Sequence, residues 1–420
     1  MAESARTIPI GVAVAALLLG SCAAPRTSGR APAADDAGTA PIRVMLAVNA
    51  ATAEVSANGA WFMLDPQRRL MARVGSGDRW LIERSGDRIR GVNGAVRTGW
   101  VDGPIYAAMT SDGFLTYSGR RYRGEIVFRA TPGGILVVNR VRIDDYLSGV
   151  VPLEIGNRPA AESAAVQAQA ITARSYAYTH LDPSDPRGYD VTATVADQVY
   201  GGVNVETATA NRAIAATRGL VLKYAGRVVN APYSSTCGGQ TAEASEVWRS
   251  TDEPYLKRVS DRIPGTDRFY CDPSPRFTWT KSFEQADLAA TIARYLSTVT
   301  TVPGGDPGRP RSIAVASRTP SGRIGALTIV TDRGSFTVRG NDIRSVLRGP
   351  GGEILYSTYF SVDSSQERDG YLTKLTLRGG GHGHGVGMCQ WGAIGRARAG
   401  QDFRTILATY YPGTTVGPVR

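Results

Sequence analysis

Lysine is scarce in this 420-residue chain: Lys223, Lys257, Lys281 and Lys374 stand against 44 arginines. A high-GC genome writes such a skew, so the formal charge of +11 is weak ground for a nucleic-acid partner. No arginine block interleaved with aromatics adds to it, and a basic surface facing an acidic polymer such as anionic lipid or cell wall is the alternative. The four cysteines, Cys22, Cys237, Cys271 and Cys389, include no Cys-x-x-Cys pair, so a zinc site would have to recruit His382, His384 or Cys389 from far along the chain. No register of the glycine-rich stretch Gly379–Ala393 gives G-x-G-x-x-G, which excludes a dinucleotide loop. What is present is 42% hydrophobic content, enough to bury a substantial core and to exclude a disordered chain.

The N-terminus carries an export signature. Arg6 precedes the apolar run Ile8–Gly20, about 13 residues, too short for the roughly 20 that cross a bilayer and right for a signal-peptide core. The run ends in Leu19-Gly20-Ser21-Cys22, which resembles the lipobox of bacterial lipoproteins, where cleavage before the cysteine frees its thiol for diacylglycerol. An ordinary signal peptide with an incidental cysteine is the alternative. Residues 1–21 are read as a lipoprotein signal peptide, and residues 22–41 as the lipidated Cys22 and a flexible tether with an r.m.s. reach of roughly 25 Å. In an exported chain a disulfide between Cys237 and Cys271 is the first expectation, with free thiols and a metal site as alternatives.

The body opens with short β-rich runs at Ile42–Leu46, Trp80–Ile82, Tyr106–Met109, Gly113–Tyr117 and Glu125–Arg129, separated by Gly-Asp, Asp-Gly and Ser-Gly turns. After Ile135–Asn139 the pattern changes, and Asp144–Glu154 leads to an alanine-rich helix opened by Pro159. The reading is α+β: an antiparallel β-rich lobe over 42–135 packed with a mixed α/β lobe over 136–416, which carries a subdomain or insertion at 255–370.

Several residues carry chemistry. Glu162 falls in the first turn of the alanine-rich helix, where its charge suits the positive end of the dipole and explains it. Glu154 follows the apolar Val150-Val151-Pro152-Leu153, an approach able to desolvate a carboxyl, raise its pKa and leave it a proton donor near neutral pH. Gln167, Ile171, Arg174 and Tyr178 share one helix face, either lining a cavity or packing into the core with the arginine snorkelling outward. The hydroxyl-rich Tyr233–Thr241 suits sugar hydroxyls or a plain turn. A nucleophilic Cys389 paired with His384 lacks any recognisable oxyanion device. The glycines around His384 let another chain come close, so this imidazole is expected to support a site rather than to cut a bond alone.

An ordered set of segments now carries a family resemblance: Tyr122–Gly124, Val138–Asn139, Asp145–Glu154, Ala168–Ala177, Gln198–Gly202, Ser234–Thr241, Gly383–Ala393 and Tyr410–Thr414. Spread over 42–416, the set resembles the stage II sporulation protein D (SpoIID) family, also described as the SpoIID and LytB amidase-enhancer domain. The resemblance implies a lytic transglycosylase acting on peptidoglycan, with a single essential glutamate that falls on Glu154. That group would protonate the glycosidic oxygen between N-acetylmuramic acid and N-acetylglucosamine. As carboxylate it would then take the proton of the muramoyl 6-hydroxyl while a 1,6-anhydro ring closes, where a typical hydrolase needs two carboxyls.

Gln169, Arg174, Tyr176, Ser235, Gly239, Thr241, His384 and Gln390 match family motifs and are assigned to the substrate groove. Serine often stands in the family where this chain has Cys389, which argues further against a nucleophilic thiol. No cofactor is expected. Zinc, described in some members as held by histidine and cysteine near the hydroxyl-rich segment, is not favoured because Ala231–Thr236 contains no histidine. The partners implied are glycan strands already stripped of stem peptides and a membrane reached through the lipid on Cys22; nucleic acid is not among them. The location implied is the cell envelope. The other reading is a noncatalytic wall-binding module that recruits or stimulates an N-acetylmuramoyl-L-alanine amidase. Nothing in the resemblance implies sporulation.

Overall fold

A computed structural model describes residues 41–248 and 253–419; the expected signal peptide, the lipidation site Cys22 and nearly all of the tether lie outside the described residues. Alternation builds the first sheets. Ile42 and Val44, Trp61 and Met63, and Ile126 and Phe128 turn inward while their neighbours face out, the two-residue period of a half-buried strand. One seven-stranded sheet runs in the order Val191–Thr192, Pro41–Ala50, Gly134–Arg142, Glu125–Thr131, Ile105–Met109, Trp61–Leu64 and Leu70–Val74. Its pairings are antiparallel except the first. A second sheet, also antiparallel, has Ala53–Ala57 and Trp80–Ser85 at its centre, and both sheets bury their apolar residues in one core with the helices that follow. The fold is α+β, as the sequence pattern predicts.

The strand Gly134–Arg142 runs directly into helix α1, Ile143–Ile155. Its tail contains Pro152, which hides the helix from a propensity reading; so near the C-terminal end the proline removes one hydrogen bond without breaking the element. A 3₁₀ turn, Ala160–Glu162, capped by Pro159, precedes helix α2, Ser163–His180. Ala165, Ala168, Ala170, Ala173 and Ala177 are buried around most of its circumference, so α1, helix α3 (Ala208–Ala216) and the helix Gln390–Arg398 all approach its backbone. Glu162 is buried and ion-paired to Arg398 at 2.7 Å, a stronger structural role than the dipole alone supplies.

Arg174 corrects an expectation. Its side chain is fully buried, pairs with Asp144 at 3.0 Å and donates to the Leu220 and Ile214 carbonyl oxygens at 3.1 and 3.4 Å. It is an internal tie between α2, the start of α1 and the strand Leu220–Tyr224. Asp144 and Glu154 lie at opposite ends of α1, about 15 Å apart along the axis. Arg174 therefore does not face the groove to which motif matching assigns it.

Residues Thr278–Gly380 assemble a separate core of Trp279, Phe283, Leu288, Ile292, Leu327, Leu375 and their neighbours. The strand Leu372–Gly380 is central to one of its sheets, and its last residues are the glycines that open the His384 segment.

Breaking the buried Arg174–Asp144 pair is expected to be costly. Arg174→Ala should lower unfolding free energy by about 3 kcal/mol or more, because it leaves Asp144 without its buried partner. Arg142→Ala, which breaks the exposed pair to Asp145, should cost less than about 1 kcal/mol. Urea unfolding of both variants checks the order, and equal costs would contradict the role given to Arg174.

Candidate functional site

Glu154 stands half-buried near the C-terminal end of α1, where the helix meets the loop Gln198–Gly202. That loop is held by Asn139 of the strand leading into α1. The Asn139 amide donates to the Arg123 and Glu125 carbonyls at 2.9 Å each, and its oxygen accepts the Tyr200 hydroxyl at 2.7 Å. Tyr200 also packs on Tyr146, ring centroids 5.1 Å apart, and lies over Gly149, where a Cβ would run into its ring. The Gly201 N–H closes the loop onto the Gly149 carbonyl at 3.0 Å. Fixed at three points, the loop aims the Val199 N–H at Glu154 Oε1, 3.0 Å away.

The other partners of the carboxyl come from two distant segments. The Gln390 and Tyr233 side chains both face it and favour its charged form. The Tyr233 oxygen already accepts from Gln198 Nε2 at 2.8 Å, which leaves its own hydrogen for Glu154, and Gln198 Oε1 accepts the Tyr146 hydroxyl at 3.1 Å. Gln390 Nε2 meets Gln169 Oε1 at 3.2 Å across the packed helices. All three groups on the carboxyl are uncharged. Burial raises the Glu154 pKa above the ordinary 4.5, and the three donors pull it back without cancelling the rise. The arrangement suits a group that gives up a proton and is steadied as carboxylate afterwards.

His384 acts one step away. Its Nδ1 accepts the Val386 N–H at 3.1 Å, so the ring proton is on Nε2 and donates to the Tyr233 carbonyl at 2.8 Å. Burial, with help from the charges of Arg344 and Arg323, pushes its pKa down to about 3. The imidazole is neutral and fixed, and positions the strand Tyr233–Ser234, which pairs in parallel with Met388–Cys389. The glycines serve the same contact. Gly387 has φ +69, and a Cβ there would collide with the Pro232 carbonyl oxygen; at Gly385, φ +80, it would enter the Arg323 guanidinium.

Of the residues matched to the groove by motif, the structure brings Glu154, Gln390 and Gln169 together, with His384 behind Tyr233. Tyr176 is adjacent, its hydroxyl 2.9 Å from Asp197 Oδ1 in the loop before Gln198. Ser235 offers its carbonyl to the Trp391 N–H at 3.0 Å and so anchors the helix that bears Gln390. Thr241 is buried and hydrogen-bonded to the backbone of Lys257 and Val259, and Gly239 packs under Phe269; both shape the scaffold, away from the carboxyl. Tyr233 and Gln198 are the site residues that motif reading did not single out. Their signal lies in the segments Gln198–Gly202, matched only as a whole, and Tyr233–Thr241, whose hydroxyls point to sugar rather than to a carboxyl.

The Cys237–Cys271 disulfide expected from sequence is not formed. The two sulfurs lie 3.6 Å apart as free thiols, against the roughly 2.05 Å of a bond. Cys389 is fully buried and its sulfur accepts the Cys237 and Gly392 N–H groups at 3.2 and 3.3 Å, which removes it from any role as an exposed nucleophile.

A mixed α+β body with one desolvated carboxyl among neutral donors is the class that fold and site define. The family model described as stage II sporulation protein (SpoIID) matches residues 131–224, and a second model, a domain of unknown function, matches residues 263–387. The chain is 29% identical to stage II sporulation protein D of Bacillus subtilis over 320 residues, 70% of this chain and 82% of that one. It is 32% identical to an uncharacterized protein of Brachyspira hyodysenteriae over 308 residues, 73% of this chain and 75% of the other. It is also 32% identical to the amidase enhancer of Bacillus subtilis over 310 residues, but spans 40% of that protein's length. The chain belongs to the SpoIID and amidase-enhancer family.

The depressed pKa of His384 has a sign that can be checked. Between about pH 6.5 and pH 3 the unfolded chain takes up a proton that the folded His384 refuses, so folding stability is fully present above about pH 6.5 and is lost as pH falls toward 3. His384→Asn should flatten that part of the curve of unfolding free energy against pH. In the parent, nitrogen NMR should show the Nε2-protonated tautomer with no titration above pH 5. An imidazole titrating near pH 6.5 would contradict the assignment.

Proposed function

We propose that this chain is an envelope lipoprotein, anchored through Cys22, that cleaves the bond between N-acetylmuramic acid and N-acetylglucosamine in peptide-stripped peptidoglycan strands as a lytic transglycosylase. Family membership supports a cell-wall-related role. The observation that carries the finer reading is the lone carboxyl of Glu154, its charged form disfavoured by burial, hydrogen-bonded by the Val199 N–H and flanked by the Gln390 and Tyr233 side chains. Hydrolysis by a typical glycosidase calls for a second carboxyl as base or nucleophile. Asp197, the acid of the adjoining loop, is already engaged: Oδ1 by the Tyr176 hydroxyl at 2.9 Å, Oδ2 by the Thr192 N–H and Oγ1 at 2.9 and 2.8 Å.

In the reaction, protonated Glu154 gives its proton to the glycosidic oxygen as the bond to the muramoyl C1 breaks. The 6-hydroxyl of the same sugar attacks C1, and its proton passes to the Glu154 carboxylate, which restores the acid. The products are a free GlcNAc 4-hydroxyl and a 1,6-anhydromuramoyl end; no water is consumed. Gln390 and Tyr233, which donate to the carboxylate, steady the intermediate charge.

The likeness to an amidase enhancer favours a second reading, a wall-binding module that recruits or stimulates an amidase without cutting glycan. Incubating the full chain with peptide-free glycan strands and searching the products by mass spectrometry for anhydromuramoyl ends separates the two. The parent should produce them, and Glu154→Gln should be slower by at least about 100-fold while still binding the strands. Binding by the parent with no anhydro ends would support the second reading and overturn the first.

A further inference from the structure

Behind the helix that carries Gln390 lies a group of side chains that the proposed glycan chemistry does not use. Cys237, Asp261, Cys271 and Cys389 come from four separate segments, yet one ligand atom from each lies within 4.8 Å of the others. All four residues are buried, none more than 1% exposed. Burying three thiols and a carboxyl together with no common partner would be an expensive way to fill a core.

We infer that Cys237, Cys271, Cys389 and Asp261 form a closed, four-ligand structural site for a divalent zinc ion. The Cys237 and Cys271 sulfurs are 3.6 Å apart, and Cys237 Sγ lies 3.4 Å from Asp261 Oδ2. With zinc–sulfur bonds of about 2.3 Å and a zinc–oxygen bond of about 2.0 Å, a tetrahedron has edges of roughly 3.8 Å between sulfurs and 3.5 Å between sulfur and oxygen. These two spacings are close to those edges, and all four ligand atoms lie within 4.8 Å of one another. A disulfide would use only two of the sulfurs and leave the third, with the carboxyl, buried beside it.

The surroundings are those of a ligand set held in place. Asp261 Oδ1 accepts the Tyr410 hydroxyl at 2.6 Å and Arg396 Nη2 at 3.1 Å, which turns Oδ2 toward Cys237. The Cys389 sulfur accepts the Cys237 and Gly392 N–H groups at 3.2 and 3.3 Å, the contacts that orient and stabilise a thiolate ligand. Three thiolates and a carboxylate around a divalent ion leave an excess of negative charge; Arg396 lies against it, and Arg323 donates to the Cys237 carbonyl at 2.9 Å. Gly392 is required for the geometry, because a Cβ there would strike Asp261 Oδ2 and the Tyr410 oxygen. Binding displaces the thiol protons to solvent, and with four protein ligands and no opening to solvent the ion is structural rather than catalytic. It pins the loop after Ser235, the loop carrying Asp261 and Cys271, and the start of the helix Gln390–Arg398 to one point.

The test is the metal content of the full chain purified without chelator. Elemental analysis should find about one zinc per chain, and thiols should become titratable only after denaturation with a chelator. Cobalt(II) exchanged into the protein should show sulfur-to-cobalt charge transfer and the intense ligand-field bands of a tetrahedral ion. Cys389→Ser and Asp261→Asn should each reduce retained zinc at least about ten-fold. Glu154→Gln should keep its full complement, so this outcome is independent of whether the glycan chemistry is right. A parent chain without stoichiometric metal, whether peptide mapping shows Cys237 joined to Cys271 or three free thiols, would overturn the inference, as would an octahedral cobalt spectrum.

Discussion

One carboxyl is drawn partly out of water and set among neutral hydrogen-bond donors. Burial makes the charged form of Glu154 costly; the Val199 N–H, Gln390 and Tyr233 make it bearable. Neither influence alone would serve. A fully apolar pocket would hold the proton too firmly to release it, and a cationic partner would strip it off well below neutral pH. Neutral donors narrow the gap between the two protonation states, which is what a group that must both give and recover a proton needs.

The rest of the molecule holds those three donors still. Asn139 anchors Tyr200 and so sets the loop bearing Val199. His384 holds the Tyr233 backbone, and the glycines on either side of it let two chains run closer than side chains would permit. Alanines along α2 bring the helix of Gln390 near enough for Gln169 to meet it. The sulfur and carboxyl cluster lies behind that same helix, at Cys389, its N-cap. Donors that arrive from residues 199, 233 and 390 depend on contacts between segments far apart in the chain, two of them, Tyr200 on Asn139 and Gln390 on Gln169, fully buried.

Much of this was legible in the sequence, and the limits were physical ones. Two-residue alternation marked the strands of the β-rich lobe, because each has one wet and one dry face. The apolar run before Glu154 pointed to a desolvated carboxyl, although Leu153 is itself exposed and the groups that surround the carboxyl come from distant segments of the chain. Helix α1 was not legible, since Pro152 near its end reads as a breaker although the tertiary core forms the helix regardless. Arg174 was misassigned because a motif match gives a position, not a direction; its burial and its pairing with Asp144 appear only when three elements are packed. The pairing of Cys237 with Cys271 was half legible: they are neighbours, but Cys389 and Asp261 join them from segments whose spacing follows no metal-binding pattern.

The central claim is most directly tested by titrating Glu154 itself. With carboxyl-carbon-labelled glutamate, the resonance absent from the Glu154→Gln spectrum belongs to this residue, and its chemical shift followed against pH gives the protonation midpoint. The account predicts a midpoint above the ordinary 4.5, moving higher still when Tyr233 is replaced by phenylalanine, because a donor to the carboxylate is lost. A midpoint at or below 4.5 in the folded parent would contradict it.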